Sequence, residues 1–161
     1  MTRLVLASIL VVAFSLSIVH GQEKISIDQI MKDLPTNMGK GVGDSNHRSG
    51  KPVTSFRSLD GNTVLQLYGP ETDIEIVGAM IQNRGSFDVA TFDIVPALIR
   101  NILPDSLRAM DWLHTALSTG DPQKTGRFSK AFGGWNVDVT CYPGMGTFVT
   151  VSKQGAELKH Q

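Results

Sequence analysis

The spacing of apolar positions changes repeatedly along the chain, and each change marks an element. Ile27, Ile30, Met31 and Leu34 recur at i, i+3, i+4 and i+7. That spacing predicts a short helix with Ser26 as its N-cap and Pro35 as its stop. From Val53 the period shortens to two. Val53–Leu59 and Thr63–Tyr68 read as strands joined by a tight two-residue turn at Asp60-Gly61, with Leu65 and Leu67 on one side and Gln66 and Tyr68 on the other. Asp73–Gln82 is a third strand. Its second half is apolar on both faces, so that end is covered twice or lines something. Residues 87–119 return to helical spacing. Val89, Phe92, Pro96, Ile99 and Leu103 form one stripe, with Asp93 as the cap and Pro96 in the first turn. A break at Pro104-Asp105-Ser106 precedes a second stripe of Leu107, Met110, Leu113, Ala116 and Leu117, which Gly120 and Pro122 end. Trp135, Val137, Val139 and Cys141 then alternate with Asn136, Asp138, Thr140 and Tyr142, and a turn at 143–146 returns the chain through Thr147–Ser152. Phe128–Phe132 is a further short-strand candidate.

Strands in runs on either side of a helical block predict an α+β fold. The expected form is a single antiparallel sheet of about five strands, in the order helix-βββ-helices-ββ, with helices packed on one face. Residues 36–52, with glycine at 39, 41, 43 and 50, read as a mobile loop between the first helix and the sheet. The domain plan is thus a leader over 1–21, a short helix plus Gly-rich loop over 22–52, an α+β domain over 53–152 and a polar tail over 153–161. The element order resembles that of the type III secretion chaperones and YbjN-like proteins, and more loosely that of helix-grip folds. Folds of this kind host binders of many sorts, so the likeness does not choose a function.

The leader itself carries a destination. Arg3 and the amino terminus make a short positive end, Leu4–Val19 contains no charge, and Val19-His20-Gly21 places compact residues where a signal peptidase reads. Cleavage is expected between Gly21 and Gln22, with export to a periplasm or the extracellular space. The competing reading is an uncleaved helix that tethers an envelope-associated structural protein; only then is a membrane involved.

Composition narrows the function classes. The 161 residues are 41% hydrophobic and 19% charged, with 15 basic and 15 acidic side chains. Loss of residues 1–21 removes Arg3 and no acid, leaving 14 basic against 15 acidic. A chain so balanced lacks the basic footprint of a nucleic-acid binder. One cysteine excludes an internal disulfide framework and paired-cysteine zinc sites. The histidines are scattered, no metal site is expected, and no cofactor motif occurs.

The one constellation with catalytic chemistry is Asp111, His114 and Cys141. Asp111 and His114 share a helical face, where the carboxylate would orient the imidazole, and His114 would serve Cys141 as base. Cys141 lies in phase with Trp135, Val137 and Val139, however, the position of an inert buried thiol. Met80, Arg108 and Trp112 are the candidates for a partner surface, with Arg108 placed to stack on Trp112. The expectation is an exported, non-catalytic binding module for a protein partner or a small apolar ligand, with the tethered structural protein and the Cys141/His114 enzyme as alternatives.

Overall fold

The computed structural model describes residues 23–34, 37–45, 47–82, 89–119 and 125–158. The leader, Phe87 and the helix stop at Gly120 and Pro122 lie outside them. The described residues run α1 (Ile27–Met31), β1 (Val42–Asp44), β2 (Val53–Arg57), β3 (Thr63–Tyr68), β4 (Ile76–Ile81), α2 (Val89–Ile102), α3 (Ser106–Thr119), β5 (Gly126–Phe132), β6 (Trp135–Tyr142) and β7 (Gly146–Lys153). All strands join one antiparallel sheet in the order β1-β2-β3-β4-β7-β6-β5. The α+β class holds, but the sheet has seven strands rather than about five. One strand beyond the five is β5, which contains the Phe128–Phe132 candidate, and the other is β1, inside the stretch expected to be a loop. β1 escapes pattern reading because its three residues are exposed on both faces. It is held through main-chain pairing with Ser55, Thr54 and Val53.

Alternation decides which side of the sheet is dry. Leu65 and Leu67 of β3, Val77, Ala79 and Ile81 of β4, Val137 and Val139 of β6, and Val149 and Val151 of β7 share one face and one core with α2. Complete burial of such a side chain stabilises by about 1.5–3 kcal/mol each. From Ile94 on, α2 is buried at Ile94, Val95, Ala97, Leu98, Ile99 and Ile102, and Leu103 just beyond its end is buried too. It starts at Val89, so Asp93 lies within it rather than capping it, and Pro96 sits in its interior, half-buried. On one flank of α2, Asn101 Nδ2 donates to the Ile30 carbonyl at 3.1 Å and to that of Lys32, closing the end of α1. The N-cap expected at Ser26 is present, its Oγ accepting from the Gln29 N–H at 3.2 Å. On α3 the core stripe is Ala109, Leu113 and Ala116, with Leu107 80% exposed instead of buried.

Two turns also differ from expectation. The β2–β3 connection spans Ser58–Asn62, longer than a two-residue turn. The Asp60 carboxylate accepts from Ser58 Oγ at 2.5 Å and from the Asn62 N–H at 3.0 Å, so side chains close a wider loop. At the start of β7, Gly146 has φ +145, and a Cβ there would lie 2.2 Å from the Ile81 carbonyl oxygen. Glycine is required at that corner by both conformation and space. Beyond β7, Ala156 and Leu158 fold back onto a second small cluster of Val53, Tyr68 and Ile76 on the face that carries no helix among the described residues, called here the helix-free face. The sheet ends in two guarded edges, the three-residue β1 on one side and β5, with exposed Arg127 and Lys130, on the other.

Candidate functional site

The helix-free face is where the composition departs from what a half-solvated sheet needs. An antiparallel sheet with helices on one side ordinarily turns polar side chains to water on the other. Here register aligns Val64, Met80 and Phe148 across β3, β4 and β7 as one row, and Tyr68 and Ile76 across β3 and β4 as a second. Between them runs the row Gln66, Gly78 and Thr150. The result is a trough of about 370 Å³ across the strands. Val64, Met80 and Phe148 form one wall, Tyr68 and Ile76 the other, and Leu158 of the returning tail covers one end.

The wall continues outward. The Tyr142 ring meets Phe148 edge-on at 5.4 Å between centroids, and Met145, at the β6–β7 turn, is 64% exposed. Among the described residues its lining contains no carboxylate, lysine, arginine or histidine. The ionisable group among those described lining residues is the Tyr68 phenol, whose pKa burial pushes above the ordinary value against a smaller opposing effect of the Arg48 charge. The Tyr68 hydroxyl donates to Gln66 Oε1 at 3.0 Å, and the edge of His47 packs 5.9 Å from its ring. The apolar second half of the third predicted strand is thereby explained. Val77, Ala79 and Ile81 face the helices, while Ile76 and Met80 line the trough.

Among the sequence-predicted surface residues, Met80 lies in that wall. Arg108 and Trp112 belong elsewhere, to a shallow hollow of about 390 Å³ with Asp111, Thr115 and Lys130. Trp112 is half-buried against the Phe132 ring, 5.6 Å between centroids. Arg108 pairs with Asp105 at 3.3 Å rather than stacking on the indole.

The nucleophile candidates differ in exposure. Cys141 is half-buried on the helix-facing side of β6, where Thr147 Oγ1 donates to its sulfur at 3.8 Å. Burial raises its pKa, with the Thr147 contact opposing, which is the reverse of what an activated thiol needs. His114 and Asp111 lie exposed on α3, and no hydrogen bond joins His114 to Cys141 among the described residues. Those residues contain no group of three or more His, Cys, Asp or Glu arranged to hold a metal ion.

Pattern reading missed Gln66, Gly78, Phe148 and Thr150 as site residues. The signal was a glycine in the middle of an apolar strand, a place where the residue weakens the element. No family model, no curated protein and no solved structure matches this chain, so the element order shared with secretion chaperones adds no functional argument.

Proposed function

We propose that this chain is an exported, non-catalytic binding module that takes its partner on the helix-free face of its sheet. The observation that carries the reading is the trough. Its walls of Val64, Met80, Phe148, Tyr68 and Ile76 turn apolar and aromatic area outward where solvated polar residues belong. Its volume lies within the range of small-ligand sites. The elevated thiol pKa of Cys141 supports the non-catalytic part, and the uncharged Leu4–Val19 stretch supports the exported part. Among the described residues no helix is long and apolar enough to cross a membrane.

Native mass spectrometry of the protein gently purified from its own cells tests both parts. The expected species starts at Gln22 and carries an additional mass that leaves on denaturation, either a small molecule or a polypeptide. A bare chain that also takes up neither apolar ligands nor cellular proteins would overturn the binding reading. A chain retaining residues 1–21 would overturn cleavage and favour the envelope-tethered alternative.

A further inference from the structure

Asp60-Gly61 is the one Asp-Gly pair in the sequence, and such a pair is chemically fragile as well as turn-forming. Glycine leaves its own amide nitrogen uncrowded, so that nitrogen can attack the side-chain carboxyl carbon of the aspartate before it. A bond forms from Gly61 N to Asp60 Cγ, and the Cγ–OH bond of the protonated carboxyl breaks. The amide proton and the hydroxyl leave together as water. Water then opens the five-membered imide at either carbonyl, which restores aspartate or routes the main chain through the side chain as isoaspartate. Water is the only co-reactant. Gly61 has φ +74, so the turn needs glycine there and the fold cannot dispense with the fragile pair.

The reaction needs a nitrogen free to leave its hydrogen bond, a carboxyl free to turn the face of Cγ towards it, and a proton on that carboxyl. The β2–β3 loop withholds all three. The Gly61 N–H donates to the Ser58 carbonyl at 2.9 Å. Asp60 Oδ1 accepts from Ser58 Oγ at 2.5 Å and from the Asn62 N–H at 3.0 Å, while Oδ2 accepts from Asn62 Nδ2 at 3.2 Å. Both carboxylate oxygens are tied, so rotating the group breaks bonds. The ties are anchored in the sheet. Ser58 is 3% exposed, its Oγ accepts from the Thr63 N–H at 2.9 Å, and the Asn62 carbonyl accepts from the Gln82 N–H at 2.8 Å. Asp60 itself is exposed, so water reaches it and burial is not what protects it.

We infer that Asp60-Gly61 is an isoaspartate-forming site held shut by the Ser58 and Asn62 hydrogen bonds, so that the folded chain ages there only when this loop opens. The donors that hold the carboxylate also keep its pKa low, so near neutral pH a smaller fraction of Asp60 carries the proton the reaction needs.

Ageing the full chain at pH 6, native and in guanidinium chloride, tests it, with peptide mapping that separates aspartate from isoaspartate at residue 60. Formation in the native chain is expected to be at least about tenfold slower than in the denatured one. Ser58→Ala removes the hydroxyl tie and is expected to speed native formation by about 3- to 10-fold. Asn62→Ala keeps the main-chain donor and loses only the side-chain amide, so a smaller rise is expected. Asp105-Ser106, at the start of α3, is the internal reference: general unfolding speeds isomerisation at both sites, whereas loss of the local ties speeds it at Asp60 alone. Equal rates in native and denatured chains overturn the inference, as does a folded Ser58→Ala chain that ages at Asp60 no faster than the native one. If Ser58→Ala speeds both sites, Asn62→Ala decides: a rise at Asp60 alone supports the inference, and no such rise overturns it.

Discussion

Leu107 and Ala109 show how a single residue is misplaced by a pattern that is otherwise sound. At 100° per residue, Leu107 lies about 120° around the helix from Leu113, whereas Ala109 lies within about 40° of it. Grouping Leu107 with Met110 and Leu113 by successive steps of three hides that drift, and the larger side chain draws the eye. In the structure Ala109 is fully buried and Leu107 is 80% exposed. Leu107→Lys should therefore change stability by no more than about 0.5 kcal/mol. Leu113→Ala should cost about 2–5 kcal/mol, and denaturant melts of the two variants separate them. Cys141 was legible, since its phase with Trp135, Val137 and Val139 already marked it as inward. Its thiol should react with a disulfide reagent along a pH profile lying above the ordinary cysteine value of about 8.5, unchanged by His114→Ala; a profile shifted below that value would restore the enzyme reading. Because the folded pKa is raised, the associated stability is complete below the unfolded pKa and is lost as pH rises through the folded one.

At the scale of elements, strands with one dry face were readable and those without were not. β3, β6 and β7 alternate cleanly because one side meets the core. β1 has no dry side, so no period-two signal exists to be read. α2 begins four residues before Asp93, and from Ile94 onward packing on several sides tolerates Pro96 in its interior where propensity alone would not. The β2–β3 loop shows local chemistry outweighing a dipeptide rule. Asp-Gly does mark the turn, but the Asp60 carboxylate gathers Ser58 Oγ and the Asn62 N–H and side-chain amide, fixing a wider loop. Hydrogen bonds from Ser58 and Asn62 hold the Asp60 pKa below its ordinary value. The contribution is present above the unfolded pKa near 3.9 and is lost as pH falls through the lower folded one. Asp60→Ala should lower the melting temperature near pH 6 and do so by progressively less in acid; a decrement independent of pH would show that the carboxylate does not tie the loop.

Across the whole molecule, the sheet order and the trough lay beyond local pattern. Gln66, Gly78 and Thr150 become neighbours only when β4 pairs with β7, a contact that spans both long helices and that no nearby residue announces. Near that pairing one end of the sheet carries two ion pairs, Lys153 of β7 with Asp73 ahead of β4, and Lys51 ahead of β2 with Glu75 ahead of β4. Lys153, 7% exposed, reaches Asp73 at 2.5 Å and lies 5.6 Å from the Trp135 ring centre, while Lys51 meets Glu75 at 2.5 Å. Removing one member of a buried pair leaves the other uncompensated. With Asp73 one-third exposed to water, Asp73→Asn should cost about 1–3 kcal/mol, and Lys153→Met clearly less, since the methionine keeps the packing on Trp135 without a stranded charge. Equal losses in a chemical melt would show that the pair adds packing rather than charge compensation.

The guarded margins of the sheet settle how this chain can meet others of its kind. A strand of three residues and a strand bearing Arg127 and Lys130 give an incoming chain no long, neutral template on which to extend the ladder. Growth by edge addition, one route from a folded monomer to fibrils, is disfavoured at both ends. Self-association of this chain would then run through the apolar area on the helix-free face rather than through its strand edges.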